Sequence, residues 1–352
     1  MGWKMGNTSR CSRLFVIFTY LALICLLPNF TQAHEAGRAL RLGYIPTITG
    51  AQALYARATG AFERATGVPI HWIPFNAGPS AIEAMFIDAV DAAFVGPGPT
   101  INGYLKTKGE KFVIVAGAAS GGAGLVVRRD SGIRGEKDFA GKVIATPQLG
   151  NTQDLAARAW FANRGYRLRE KGGSLTLVNL SNPDQLTMFR KRQIHGAWTV
   201  EPWLSRLELE GSGRLLLDEK TLWPRGRYVT THLIVNRGFL VRNPLLMKRL
   251  LAAHVAVTRE INADKAAAAK ILNAQLRKET GKALRPDVIS RALDRVTLTW
   301  DPIASSLRKN AEFAYNAGFL RSAPRLEGIY ALDLLNSVLR EHDLPEVSGA
   351  TH

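Results

Sequence analysis

Cysteine is almost missing from the 352 residues: there are two, Cys11 and Cys25. Both lie in a stretch that reads as a secretory leader. Lys4, Arg10 and Arg13 form a basic start without an acid, and Leu14 to Leu27 (LFVIFTYLALICLL) is apolar. Thr31-Gln32-Ala33 supplies the small residues of a cleavage site, with Ala36 as a second. The apolar run is shorter than the roughly 20 residues that a spanning helix needs, so removal of residues 1–33 is expected in preference to a permanent anchor. The 352-residue chain less those 33 residues has 319 and no cysteine. That excludes disulfides and cysteine-ligated zinc or iron–sulfur centres. Stability must then come from a hydrophobic core, and the length suits two lobes or one large domain.

Catalytic and cofactor signatures are missing too. There is no G-x-S-x-G, no Walker sequence and no H-E-x-x-H. No G-x-G-x-x-G follows the first strand, which disfavours a dinucleotide site. The histidines (His34, His71, His195, His232, His254, His342, His352) include no i,i+4 pair, so no single helix face binds a metal. His71 reads as a packed or surface residue of an apolar strand. No metal, no cofactor and no enzymatic activity are expected. Acids are the scarce charge, 29 against 46 Lys and Arg, for a formal +17, or +14 without the leader. Such a field attracts anions, anionic lipid or nucleic acid. The basic residues are scattered, however (Arg57, Arg64, Arg128, Arg158, Arg190, Arg249, Arg291, Arg308). A solvated basic surface is the favoured reading, and no nucleic-acid partner is expected.

What the chain does have is rhythm. Strand patterns at Ala39–Ile45, Val68–Ile73, Ala92–Val95 and Phe112–Ala116 alternate with helical ones at Ala51–Ala65, Ser80–Asp88 and Thr100–Lys106. Ser80 and Glu83 have the spacing of a capping box. After the cluster Ser120-Gly-Gly-Ala-Gly124 the rhythm resumes, with strands at Leu125–Arg128, Lys142–Thr146, Leu175–Val178, Gly196–Trp198, Leu215–Leu217 and Val229–Val235. From Asn243 the pattern is helical, with proline breaks at Pro244, Pro286 and Pro302 and an alanine-rich helix at Ala263–Ala274. Alternating strands and helices predict mostly parallel sheets covered on both faces. The expected lobes are 37–119 with 229–347, and 120–228. The glycines at 121, 122 and 124 mark the crossing and Val229–Val235 the return.

One device recurs. A strand ends, small polar residues follow, and a helix begins. It occurs at Thr47-Ile-Thr-Gly50, Asn76-Ala-Gly-Pro-Ser80, Gly96-Pro-Gly-Pro-Thr100 and Gly150-Asn-Thr-Gln-Asp154. Helix N-termini carry unpaired N–H groups and about half a positive charge. Glycine and short hydroxyl residues let an anion reach them. Four such loops could surround a small anion without an arginine. Any one of them alone reads as ordinary capping; their conjunction carries the functional reading. Asp154 would repel an anion, and as the third residue after Asn151 it is expected to fold back as a cap partner.

With these residues in view, the chain resembles the periplasmic substrate-binding proteins of ABC importers for aliphatic sulfonates, taurine and nitrate. Leu42-Gly-Tyr-Ile45, Ala92-Ala-Phe-Val-Gly96, Gly150-Asn-Thr-Gln-Asp154 and Trp198-Thr-Val-Glu-Pro-Trp203 carry the likeness, which covers about residues 40–340. The resemblance implies an α/β, two-lobed, type II-like Venus flytrap with a helical C-terminal segment. It implies a monomer in the periplasm that closes on a small anion, an aliphatic sulfonate or taurine-like compound. The closed form would dock on an inner-membrane permease served by an ATPase. Carried over by position, Thr49, Gly50, Gln52, Asn76, Ser80, Gly98 and Thr100 would line one wall. Ser120 and Gly121 would sit at the crossing, Asn151 and Thr152 would approach the anionic head, and Trp198 and Glu201 would close the pocket. Glu201 has two readings, a partner for the amine of a zwitterion or a structural ion pair; the structural one is favoured. Two departures bear on the ligand: Trp198 lies three residues before Glu201 instead of next to it, and the Thr49 loop has Pro46 and no lysine. An exported enzyme or a ligand sensor on the same fold is the alternative.

Overall fold

A computed structural model describes residues 1–3, 39–316, 318–320 and 322–350. The expected leader, residues 1–33, lies outside the described residues apart from its first three. Met1–Ala39 is set apart as one unit, and Leu40–His352 forms a second, compact one.

That compact unit holds two sheets. The strands, in chain order, are β1 (Leu40–Tyr44), β2 (Ile70–Pro74), β3 (Ala92–Val95), β4 (Phe112–Gly121), β5 (Ala123–Arg128) and β6 (Val143–Thr146). Then come β7 (Thr176–Asn179), β8 (Gly196–Val200), β9 (Gly213–Asp218), β10 (Val229–Asn236) and β11 (Val296–Leu298). The first sheet has the order β11-β4-β10-β3-β1-β2 and the second β7-β6-β8-β5-β9. Both are mixed, with four of the nine strand pairings parallel, where mostly parallel sheets were expected. β10 is antiparallel to β3 and β4, and β5 is antiparallel to β8 and β9. The cause is the chain's path. β4 leaves the first sheet at the glycine pair Gly121 and Gly122, both with positive φ, and β5 enters the second. β10 later makes the return journey. A strand arriving across the gap enters from the gap side and must run away from it.

Local chemistry sets the remaining boundaries. The helix expected over 51–65 divides into Ala51–Thr59 and Ala61–Thr66. Gly60, at φ 69°, is left-handed, a conformation that ends helices and that glycine adopts without strain. The Ser80–Glu83 capping box does not form: the helix Gly78–Phe86 begins two residues before Ser80, with Pro79 in its first turn. Proline suits that turn because its missing N–H would have no intrahelical partner there. At Thr152–Ala162 the expected cap is present, with Asn151 Oδ1 accepting from Asp154 N at 2.9 Å. The C-terminal segment is helical as expected, interrupted by β11.

Helices cover the faces of both sheets. Leu40, Leu42, Phe94 and Val115 pack with Leu54, Phe62, Leu250 and Leu251 in the larger core. Leu125, Ile144, Trp160, Phe161 and Trp198 pack in a core of the second sheet. Burying such side chains contributes about 1.5–3 kcal/mol each, and the described residues contain no cysteine that could add a disulfide. Among the described residues, no helix is long and apolar enough to cross a membrane.

Candidate functional site

The parallel strands of both sheets end on one small cavity of about 40 Å³, lined by 18 residues. Its walls are loops that follow strand ends, the usual ligand position in open α/β sheets. Ile45, Thr47, Thr49 and Gly50 follow β1; Asn76, Ala77 and Gly78 follow β2; Gly96 and Pro99 follow β3. From the second sheet come Pro147, Asn151, Thr152 and Gln153 after β6, Asn182 after β7, and Val200 at the end of β8. Thr230 and Thr231 open β10, whose reversed direction puts its first residues here.

Five helices therefore begin at the cavity: Ala51–Thr59, Gly78–Phe86, Pro97–Lys106, Thr152–Ala162 and Asn182–Arg190. Each brings the positive end of its dipole, although at the Pro97 helix the first N–H groups are already taken: Gly98 N by Thr152 Oγ1 and Thr100 N by the Gly96 carbonyl, while Pro97 and Pro99 have none. The 18 lining residues include no Lys, Arg, His, Asp or Glu. Thr230 adds a hydroxyl that is buried and has no hydrogen-bond partner among the described residues. Water or a ligand in the cavity can supply its partner.

The two sheets meet across the cavity. Gly98 N donates to Thr152 Oγ1 at 3.1 Å, and Ile48 N donates to the Glu201 carbonyl at 3.0 Å. A β-carbon on Gly96 would lie 2.5 Å from Thr152 Oγ1, and one on Gly98 3.0 Å from Thr152 Cα. Glycine at these two positions is what lets the start of the Thr152 helix seat against the start of the Pro97 helix.

The sequence-predicted site residues divide accordingly. Thr49, Gly50, Asn76, Asn151 and Thr152 line the cavity. Gly98 and Gly121 are placed by backbone contacts, Gly98 against Thr152 and Gly121 under the Arg295 carbonyl. Gln52 points into the core, donating to the Ala118 carbonyl at 2.7 Å and Thr258 Oγ1 at 3.2 Å. Thr100 closes its own helix turn on the Gly96 carbonyl at 2.9 Å. Ser80 is half-buried in the Gly78 helix, outside the lining set. Ser120 Oγ accepts from Tyr228 N at 3.3 Å. Trp198, fully buried, donates to Glu219 Oε2 at 2.8 Å and packs against Trp160, one strand repeat below the rim residue Val200.

Glu201 sits behind the wall. Its carboxylate accepts from Ser205 Oγ at 2.9 Å and Ser205 N at 3.1 Å, and pairs with Arg295 Nη1 at 3.2 Å. Burial pushes its carboxyl up to about 7, outweighing the Arg295 charge and the Ser205 hydrogen bonds. Asp154 is turned back as well, accepting from Thr146 Oγ1, Gly150 N, Asn179 Nδ2 and Arg158 Nε. Among the described residues no group of three or more His, Cys, Asp or Glu is placed to hold a metal.

Among the lining residues not named as site residues from sequence are Thr47, Phe94, Gly96, Gln153, Asn182, Thr230 and Thr231, beside the mostly apolar Ile45, Ala77, Gly78, Pro99, Pro147 and Val200. Gly96 and Gln153 lay inside the quoted loops. Thr230 and Thr231 carried no local signal, because only the antiparallel placement of β10 brings them to the cavity.

Comparison with known proteins follows the same architecture. A model of the NMT1-like family matches residues 33–275. The taurine-binding periplasmic protein of Escherichia coli K12 is 24% identical over 193 residues, 55% of this chain and 58% of that protein. A putative aliphatic sulfonates-binding protein of Bacillus subtilis 168 is 22% identical, and the match spans about three fifths of the length of each of these two relatives, 58% and 60%. Among solved structures, the alkanesulfonate-binding protein SsuA from Xanthomonas axonopodis pv. citri, bound to MOPS, superposes with a TM-score of 0.69 at 21% identity. The match covers 84% of this chain and 99% of that one. The periplasmic nitrate-binding protein NrtA from Synechocystis PCC 6803 gives 0.75 at 15% identity, over 88% and 91%. The fold is that of the periplasmic binding proteins.

Proposed function

The chain belongs to the NMT1-like family, and we propose that it is the periplasmic solute-binding component of an ABC importer. It captures a small organic anion of the sulfonate class between two lobes, 37–119 with 229–347 and 120–228, and delivers it to a membrane permease. Residues 1–33 are its cleaved export signal. The observation that carries this reading is the convergence of five helix N-termini, from both sheets, on one cavity without a charged side chain. Such an array offers N–H and O–H donors and positive dipole ends to an anion that fits between the sheets. Bound ligand then ties the sheets together, which is how a hinged protein closes. The lining set offers neither a general base nor an activated nucleophile, so it favours capture over catalysis.

The test is a thermal-shift panel of alkanesulfonates, taurine, nitrate and phosphonates. A true ligand at 100 times its Kd stabilises the protein by about 2.7 kcal/mol, a rise of several degrees in Tm. Closure should also lower the radius of gyration in solution scattering. No shift with any anion would overturn the proposal.

A further inference from the structure

Taking the anion-binding reading as its basis, we infer that the cavity selects anions that carry no cationic group, and that the Thr230 hydroxyl is one of the donors that hold them. The two acids nearest the lining residues in sequence are Asp154, after Gln153, and Glu201, after Val200. Either one, turned inward, would receive the ammonium of a zwitterion. Both carboxylates are fully buried and bonded to partners outside the lining residues. Asp154 Oδ1 accepts from Thr146 Oγ1 at 2.8 Å and Asn179 Nδ2 at 3.2 Å, and its Oδ2 from Gly150 N at 3.0 Å and Arg158 Nε at 2.9 Å. Glu201 Oε1 accepts from Ser205 Oγ and Arg295 Nη1, and its Oε2 from Ser205 N.

An ammonium entering the cavity loses its hydration and meets neutral side chains and the positive ends of helices. A buried charge without a partner is strongly disfavoured. A sulfonate attached to a methyl in place of the ammonium meets the same donors without that cost. Thr230 sharpens the assignment. Its residue is 4% exposed, it lines the cavity, and its hydroxyl has no partner among the described residues. An anionic oxygen accepts what the protein leaves unpaired.

The experiment compares 1-propanesulfonate with taurine by calorimetry on the purified protein. The two match in heavy-atom count and differ by methyl against ammonium; nitrate serves as a tailless anion. Propanesulfonate is expected to bind at least about tenfold more tightly than taurine. Asn182→Asp places a carboxylate in the lining while keeping the acceptor for Thr199 Oγ1. It should move the ratio toward taurine by about tenfold or more. Thr230→Val should raise the Kd for propanesulfonate about five- to tenfold with no fall in the ligand-free Tm, since the lost hydroxyl had no protein partner. Taurine binding as tightly as propanesulfonate, or a ratio unmoved by Asn182→Asp, would overturn the inference. Failure of every anion to bind, nitrate included, would overturn the anion-binding reading itself.

Discussion

Alanine at Gly98 should separate closure from folding. Gly98 lies in the first turn of the helix Pro97–Lys106, facing the start of the helix Thr152–Ala162 on the other sheet. Its β-carbon would fall 2.9 Å from Leu155 Cδ1, 3.0 Å from Thr152 Cα and 3.1 Å from Thr152 N. The leucine methyl can swing aside. The two Thr152 backbone atoms cannot move without moving the capped helix start. Overpacking of this kind costs about 1–3 kcal/mol, and the whole cost falls on the form in which the two helices touch. In an opened form the same methyl faces water. Alanine is there favoured over glycine in a helix by up to about 1 kcal/mol.

Closing is thereby made about 5- to 150-fold less favourable. The apparent Kd rises with it, because the binding-competent form is populated in proportion. Calorimetry with the best ligand of the panel should show at least about a fivefold loss of affinity, while the ligand-free Tm stays level or rises. Scattering at sub-saturating ligand should keep the radius of the ligand-free protein. Affinity within about twofold of the parent would refute the reasoning, since it would mean that ligand is held without Gly98 meeting Thr152. A fall in ligand-free Tm would place this contact in the resting state instead.

Where the sequence was legible, the physics was local. The start at Asn151 could be read in place, and those after β2 and β3 to within about three residues, because small polar residues after an apolar run have few other uses. Asp154 could be assigned to the cap from its spacing to Asn151 alone. Eight of the 13 site residues named from sequence lie outside the cavity lining, four of them for one reason: position along an element does not give the direction of a side chain. Gln52, Thr100, Ser120 and Trp198 each stand near a cavity loop but bond elsewhere: Gln52 to the Ala118 carbonyl, Thr100 to the Gly96 carbonyl of its own helix start, Ser120 to Tyr228 N and Trp198 to Glu219. Thr230 shows the converse. Its neighbours in sequence say strand and nothing more, yet strand order makes it a cavity residue. The glycine cluster suggested a crossing at Gly121 and Gly122, but the antiparallel directions of β5 and β10 are a long-range fact of which periodicity contains no trace.

Three further outcomes follow from buried groups. Thr152→Val removes the acceptor for Gly98 N and should cost the closed form about 1 kcal/mol or more, at least fivefold in Kd. The Asn151–Asp154 cap stays intact, so the ligand-free Tm should change little; equal losses in both would make Thr152 structural only. His232 and His254 are fully buried, and burial lowers both imidazoles to about 4 from 6.5. Their contribution to stability is complete above pH 6.5 and is lost as pH falls toward 4, when the unfolded chain binds protons first. Replacing either with Gln should flatten the fall in Tm over that range, and an unchanged slope would refute it. Glu219 works in the opposite sense. Burial raises its carboxyl from 4.5 to about 7, against the Trp198 N–H that favours the anion. A folded value above the unfolded one means stability that is complete below about pH 4.5 and is lost as pH rises through 7. Gln has the shape of the protonated acid and still accepts from Trp198. Glu219→Gln should therefore match the parent near pH 4, gain on it steadily to pH 7, and keep a constant lead above. A lead that is the same at every pH would mean that the parent's Glu219 does not change charge across this range, and that a packing difference alone separates the two proteins.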